Sequence, residues 1–475
     1  MSFDLYHSMT LIIPEIILCL GALILLPLGA FLQGPRAWSL MGYLCLFFFG
    51  LALIAAMSSG TGVGFGGQVA VTSISSFFRQ LVMVFGLAGA YLIHADLERD
   101  HDLRRTETSV LVLLSVCGMS LMVSSGSLMT LYMGLELQSL SLYVLAATKR
   151  DSLKASEAGL KYFVLGALSS GILLYGISFV YGATGSFTYS NIATVQVLED
   201  NMLVLGMCLV ILGLAFKVSL VPFHMWTPDV YEGAPIGVTA FFAAAPKIAA
   251  IGVFAVLLRE VFPTGSEIWV PIVGVLAVAS TWWGALGAMR QQNLKRILAY
   301  SSIANMGFCF LGFLNGVDGS SAAVITYAAI YGVMTIGTFA AISSLQFDGR
   351  VVQDREQLNG LALTHPRMAL VLAILMFSLA GIPPLAGFFA KFYVFMAVLE
   401  SGLIGLAVLA ILASVLGSFY YLRIVVGMYM YQNDDQLVVS QPKMVAALGA
   451  ILVSIMAFAP WVLFDSVDAI AKIVP

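Results

Sequence analysis

The chain has 475 residues, of which 60% are hydrophobic and only 10% charged, with a mean hydropathy of +0.98 and a formal net charge of −3. Soluble domains are about half apolar and about a quarter charged, so these proportions exclude a soluble globular domain and leave the lipid bilayer as the obligatory environment. The small net charge gives no footprint for nucleic acid. Cys19, Cys45, Cys117, Cys208 and Cys309 are scattered through apolar runs with no C-x-x-C pair, against a disulfide framework, a zinc site or an iron–sulfur cluster. Neither a Walker loop nor a G-x-G-x-x-G after a strand pattern occurs, so no nucleotide chemistry is expected of this chain.

The opening stretch, MSFDLYHSM, lacks the basic region of a secretory signal, and the first apolar run is expected to be a retained helix. A helix that crosses a bilayer needs about 20 mostly apolar residues. Runs of that kind predict an all-α polytopic membrane protein of about 14 transmembrane helices, at 9–32, 38–57, 76–95, 107–124, 128–147, 158–182, 201–230, 236–258, 269–289, 295–314, 321–346, 367–399, 403–430 and 443–464. The longest connections, 58–75, 183–200 and 347–366, leave no room for a soluble domain.

Lysine and arginine orient such a bundle, because short loops rich in them stay on the cytoplasmic side. The odd-numbered loops hold Arg36, Arg99, Arg104, Arg105, Lys149, Arg150, Lys154, Arg290, Lys295, Arg296, Arg350, Arg355, Arg367 and Lys443, which is 14 of the 22 basic residues. Even-numbered loops and the tails hold Arg259 and Lys472, with Arg79 at a helix start. Both termini are therefore expected on the periplasmic side of a bacterial inner membrane.

Five basic residues remain at membrane depth: Lys161, Lys217, Lys247, Lys391 and Arg423. A lysine at a helix centre costs roughly 2.5–3.5 kcal/mol on the insertion scale, so several of them imply use. Lys247 has eleven residues on either side within 236–258 and cannot snorkel; the bland alternative is a structural lysine bonded to carbonyls freed by Pro246. Glu136 sits centrally in its run and needs a proton or a cation, with Lys217 the natural partner. Lys217 precedes PFHMWTPDVYEGAP, where Pro222 is expected to break the helix and open a polar pocket. His224 lies beyond that break, a side chain whose protonation changes in the physiological range. Lys161 and Arg423 lie near inner helix ends, the first a candidate and the second structural, and Glu15 is expected at the outer interface. Tyr300, Ser301, Ser302 and Tyr331 are possible relay groups, but spacing alone does not set them apart.

The run MALVLAILMFSLAGIPPLAGFFAKFYVFMAVL repeats the design, with Pro383 and Pro384 near its middle and Lys391 beyond. Lys391 follows Lys217 by 391 − 217 = 174 residues. Two five-helix units, helices 4–8 in 107–258 and helices 9–13 in 269–430, are expected, flanked by 1–106 and 431–475. An odd number of helices per unit makes the repeats inverted, with a discontinuous helix in each.

The segments MGLELQSLSLYVL, KYFVLGALSSGILLYGISFVYG, AFKVSLVPFHMWTPDVYEGAP, APKIAAIGVFAV and LAGIPPLAGFFAKFYVF resemble the antiporter-like subunits of respiratory complex I, the proton-translocating NADH:quinone oxidoreductase. The short C-terminal end argues against the L branch of that family, which extends into a long lateral helix. Lys391 stands where the M branch typically has glutamate, so the pattern is that of the N branch. The resemblance implies that Glu136 and Lys217 form the family's ion pair. It also makes Lys247 the central connecting lysine, Lys391 the exit-side residue and Lys161 the helix-six lysine. It implies no cofactor in this chain, since FMN, iron–sulfur clusters and quinone belong to other subunits, and K and M subunits as neighbours. The alternative is an Mrp-type sodium/proton antiporter subunit with the same fold and lysines.

Overall fold

In a computed structural model of the chain, residues 5–32, 37–100, 103–317, 321–431, 437–440 and 443–458 are described. Arg36, Lys472 and the expected end of the last helix lie outside them. Helices occupy the apolar segments: α1 (Ile13–Phe31), α2 (Ala37–Ser58), α3 (Ser73–Arg99), α4 (Glu107–Val123), α5 (Leu128–Ala146), α6 (Leu153–Thr184) and α7a (Asn201–Val218) with α7b (Trp226–Gly233). There follow α8 (Ile236–Val256), α9 (Ser266–Met289), α10 (Leu294–Leu311), α11 (Ala322–Ser344), α12a (Pro366–Ala380) with α12b (Ala386–Glu400), α13 (Ile404–Met430) and α14 (Lys443–Phe458). Among the described residues, ten helices are long and apolar enough to cross a membrane. Lipid offers a backbone no hydrogen-bond partner, and the helix satisfies each N–H and C=O from within. Side-chain oxygens of Thr72, Ser127, Asp200 and Asn293 accept from first-turn amides and fix where α3, α5, α7a and α10 begin.

The connections gather on two faces. On one, Lys149 pairs with Asp100 at 2.6 Å, Arg296 with Asp229 at 2.7 Å, and the Lys295 ammonium donates to the Ala234 carbonyl at 2.8 Å. The three-stranded sheet β4–β3–β5 (β3 Leu345–Phe347, β4 Arg350–Val351, β5 Val438–Val439) lies with them. The other face carries the β1–β2 hairpin (Gly62–Gly64, Val69–Val71), which is bridged to Ser125. There Thr264 donates to the Val195 carbonyl at 3.2 Å, and Arg259 to Ser321 at 3.3 Å. The basic loops thus share one face, and Arg259 lies on the opposite one.

At the centre stands α8, every residue of which is buried, packed mainly on α3 and α11 and also touching α4, α5, α7a and α10. Asp96 pins its start. One carboxylate oxygen accepts from the Gly237 amide at 2.5 Å, and the other accepts from Arg99 at 2.6 Å. Arg99 in turn donates to the Ser343 hydroxyl at 2.6 Å and to the Ser343 carbonyl at the end of α11. A carboxylate at a helix N-terminus and a guanidinium at a helix C-terminus both complement the backbone dipoles. Glu15 faces the protein interior. It is 3% exposed and paired at 2.8 Å with Arg79, which is 1% exposed, between α1 and α3. An uncompensated charge there would be prohibitive, so the two residues are buried together.

Candidate functional site

The helix carrying Lys217 ends earlier than Pro222. Helix α7a stops at Val218, Ser219 takes a left-handed conformation (φ 65°), and α7b resumes at Trp226. Pro222 lacks an N–H and disfavours helical geometry in the residue before it, so the chain leaves the helix before reaching the ring. Side chains satisfy part of the freed backbone. The Trp226 indole donates to the Phe216 carbonyl at 3.0 Å, and the Val221 amide to Ser280 at 2.9 Å.

Helix α12a ends alike at Gly381 (φ 83°). The left-handed residues lie 381 − 219 = 162 residues apart, against 174 for the two lysines. Lys217 therefore precedes its break and Lys391 follows its own. By position relative to the breaks, the two lysines are not counterparts. The Lys391 ammonium donates to the freed carbonyls of Ala380 (2.9 Å) and Leu379 (3.4 Å) and to Ser414 (3.1 Å), and stands 4.8 Å from the Phe308 ring centre. The end of α12a concentrates negative dipole where this cation sits.

Lys217 is 3% exposed and donates to Ser139 Oγ at 2.7 Å, with Tyr143 OH at 3.4 Å. Glu136 lies one turn before Ser139 on α5, hence on the same face, and its Oε1 is buried without a hydrogen-bond partner. The two do not touch as an ion pair: no contact within 4.0 Å joins them, and Ser139 takes the ammonium. Lys247, fully buried, donates to Ser219 Oγ at 3.2 Å and lies 5.7 Å from the Tyr231 ring centre. Ser219 also accepts from Thr227 at 2.6 Å, so the break beside Lys217 supplies the partner of Lys247. The carbonyl-ligand alternative therefore describes Lys391 and not Lys247.

A second group of hydroxyls lies among α10, α11 and α13, and the Tyr231 hydroxyl between it and Lys247 has no hydrogen-bond partner. Ser302 and Tyr331 hydrogen-bond at 2.6 Å, and Tyr327 donates to Asn305 at 2.7 Å. Ser301 and Tyr421 share a hydrogen bond, and Asn305 donates to Tyr421 at 3.3 Å. A small internal cavity is lined by Ser301, Ser302, Tyr331, Thr335 and Thr338, and the Thr338 hydroxyl is buried without a protein partner. Ala243, Leu298, Phe339 and Leu379 complete the lining, so the hydroxyls form one polar side of a mostly apolar cavity.

Two expected residues stand apart from these groups. Lys161 is half-exposed and pairs with Glu157 at 2.6 Å and Asp229 at 2.7 Å, in a surface network with Arg296, Glu232 and Lys154. The His224 ring packs edge-on against Trp283 at 5.5 Å, and its Nδ1 has no hydrogen-bond partner. Residues not singled out from spacing are Ser139, Ser219, Tyr231 and Asn305, together with Ser302 and Tyr331. Only Ser139 carried a local signal, its place one helical turn from Glu136. Among the described residues, no group of three or more His, Cys, Asp or Glu could hold a metal ion.

A helical bundle with two broken helices and three buried lysines defines an antiporter-like membrane protein. The family model described as NADH:quinone oxidoreductase/Mrp antiporter, TM matches residues 125–417. The chain is 46% identical over 441 residues to NADH-quinone oxidoreductase subunit N of Parvibaculum lavamentivorans, covering 92% of this chain and 91% of that relative. It is 43% identical to the protein of the same name from Rhodospirillum rubrum, over 97% and 96% of the two chains. A chain of respiratory complex I from Thermus thermophilus with bound aureothin superposes with a TM-score of 0.82 at 32% identity, over 95% of this chain and 99% of that one. The chain belongs to the NADH-quinone oxidoreductase subunit N family.

Proposed function

We propose that this chain is a proton-translocating subunit of the membrane arm of complex I. Protons pass along Glu136, Lys217, Lys247 and Lys391, coupled to quinone reduction in other subunits. Ser139, Ser219, Tyr231, Ser302 and Tyr331 link the lysines. In this reading fourteen helices cross the bacterial inner membrane, and 107–258 and 269–430 are inverted repeats between 1–106 and 431–475. Both termini face the periplasm, and the K and M subunits are neighbours. Lys161 serves with Asp229 at the inner mouth.

One observation carries the reading. Lys217, Lys247 and Lys391 are buried, each is hydrogen-bonded to a hydroxyl, and none forms an ion pair within 4.0 Å among the described residues. A lysine locked to a carboxylate holds its proton, whereas an ammonium held by neutral groups in a desolvated site is poised to release it. The Mrp reading has the same fold and lysines, but relatives matched over nearly the whole chain bear the subunit N name.

Replacing Lys247 tests the reading directly. Lys247→Met has similar length and no desolvation cost, and the complex is expected to assemble while quinone-linked turnover and pumping fall at least tenfold. Lys247→Arg is also impaired, because guanidinium does not give up its proton. A methionine variant that assembles and pumps at the wild-type rate overturns the relay.

A further inference from the structure

We propose that Cys19 and Cys117 form an oxidisable dithiol, a modification site that closes to a disulfide between α1 and α4 when an organic hydroperoxide reaches it from the bilayer. The sulfurs lie 3.3 Å apart although 98 residues separate them in sequence, and both are free thiols. Helices α1 and α4 pack along one another, and Cys117 also approaches the Glu15 carbonyl at 3.7 Å. The site sits beside the buried Glu15–Arg79 pair, where Ser120 of α4 donates to Glu15, so the helices are tied at this level independently of sulfur. Their mutual position is thus held while the thiols react. Cys45, the other fully buried thiol of this region, donates instead to the Ser109 carbonyl at 3.6 Å.

The two thiols differ in access. Cys117 is completely buried, whereas Cys19 is partly exposed on an apolar helix face. Cys19 is therefore the sulfur that meets an oxidant dissolved in lipid. Its sulfur attacks the terminal peroxide oxygen, the O–O bond breaks, and the thiol proton passes to the departing oxygen, giving sulfenic acid and the alcohol. The Cys117 sulfur then attacks the sulfenic sulfur, the S–O bond breaks, and the Cys117 proton leaves with that hydroxyl as water while the S–S bond forms. The balance is two thiols and one hydroperoxide giving one disulfide, one alcohol and one water. The product staples the first helix to the first helix of the 107–258 unit.

The test uses the intact complex in membrane vesicles treated with cumene hydroperoxide. Remaining thiols are alkylated under denaturing conditions, and chymotryptic peptides are read by mass spectrometry. The expected result is a Cys19–Cys117 linked peptide that dithiothreitol releases, with Cys45, Cys208 and Cys309 alkylated. In Cys117→Ser the link disappears and Cys19 is trapped by dimedone as sulfenic acid. Both Cys19 and Cys117 recovered alkylated, at a dose that oxidises dodecanethiol in the same vesicles, overturns the proposal. A link from Cys19 to any other cysteine overturns it as well.

Discussion

Lys217 and Glu136 were expected as a direct pair, and Ser139 stands where that contact would be. The hydroxyl accepts from the ammonium at 2.7 Å and itself donates to the Leu135 carbonyl, so the lysine is held by Ser139 with no direct contact to the carboxylate. A hydrogen bond to a charged group contributes roughly 1.5–3 kcal/mol. Ser139→Ala is expected to cut quinone-linked pumping several-fold in sealed vesicles. Tyr143→Phe, which removes a contact of 3.4 Å, changes it little. Equal losses in the two variants would place the ammonium differently from this account. Glu136→Gln removes the charge and keeps the shape. Coupled pumping should drop while NADH oxidation by an artificial acceptor stays near wild type, since no electron passes through this side chain. Pumping that survives the substitution intact removes Glu136 from the relay.

At the level of elements, the breaks and the central helix act together. The α7 break exposes Ser219 to Lys247, and the α12 break exposes two carbonyls to Lys391, so each discontinuity supplies the partner of a lysine. The Lys247 contact depends on where α8 sits, and the Asp96–Arg99 pair holds the start of α8 to the end of α11. Asp96 is 6% exposed, and losing its charge leaves Arg99 without a counterion. Breaking such a pair costs on the order of 3 kcal/mol. Asp96→Ala is therefore expected to lower the thermal midpoint of the solubilised complex and the amount of assembled subunit, more than Glu98→Ala at an exposed site on the same helix. Equal midpoints for the two variants would show that the pair does not hold the helices.

Across the whole molecule, the grouping of basic loops on one face makes orientation measurable. Arg150 is exposed on that face, whereas Lys295 is tied to the Ala234 carbonyl and makes a poor probe. Arg150→Cys should react with an impermeant maleimide only from the cytoplasm. Gly60→Cys, exposed in the loop before β1 with open space around its Cβ, should react only from outside. The reverse pattern would invert the topology and with it the direction of the relay.

Composition, apolar run length and loop charge depend on transfer from water to lipid, a property of each segment by itself. They were enough to locate the helices, the loop asymmetry and the costly lysines at 217, 247 and 391 from residues alone. The proline-rich interruptions likewise announced two broken helices, because a missing N–H acts locally. Where each break begins was not legible. Ser219 and Gly381 end their helices in left-handed turns, so the two breaks lie 162 residues apart while the two lysines lie 174 apart. Nor did spacing reveal which hydroxyls face the lysines. Ser302 and Tyr331 come from different helices and meet at 2.6 Å, and Ser219 reaches Lys247 across a 28-residue separation. Such contacts arise where helix faces meet in the bundle, and periodicity within one helix states which residues share a face but not which neighbour that face meets.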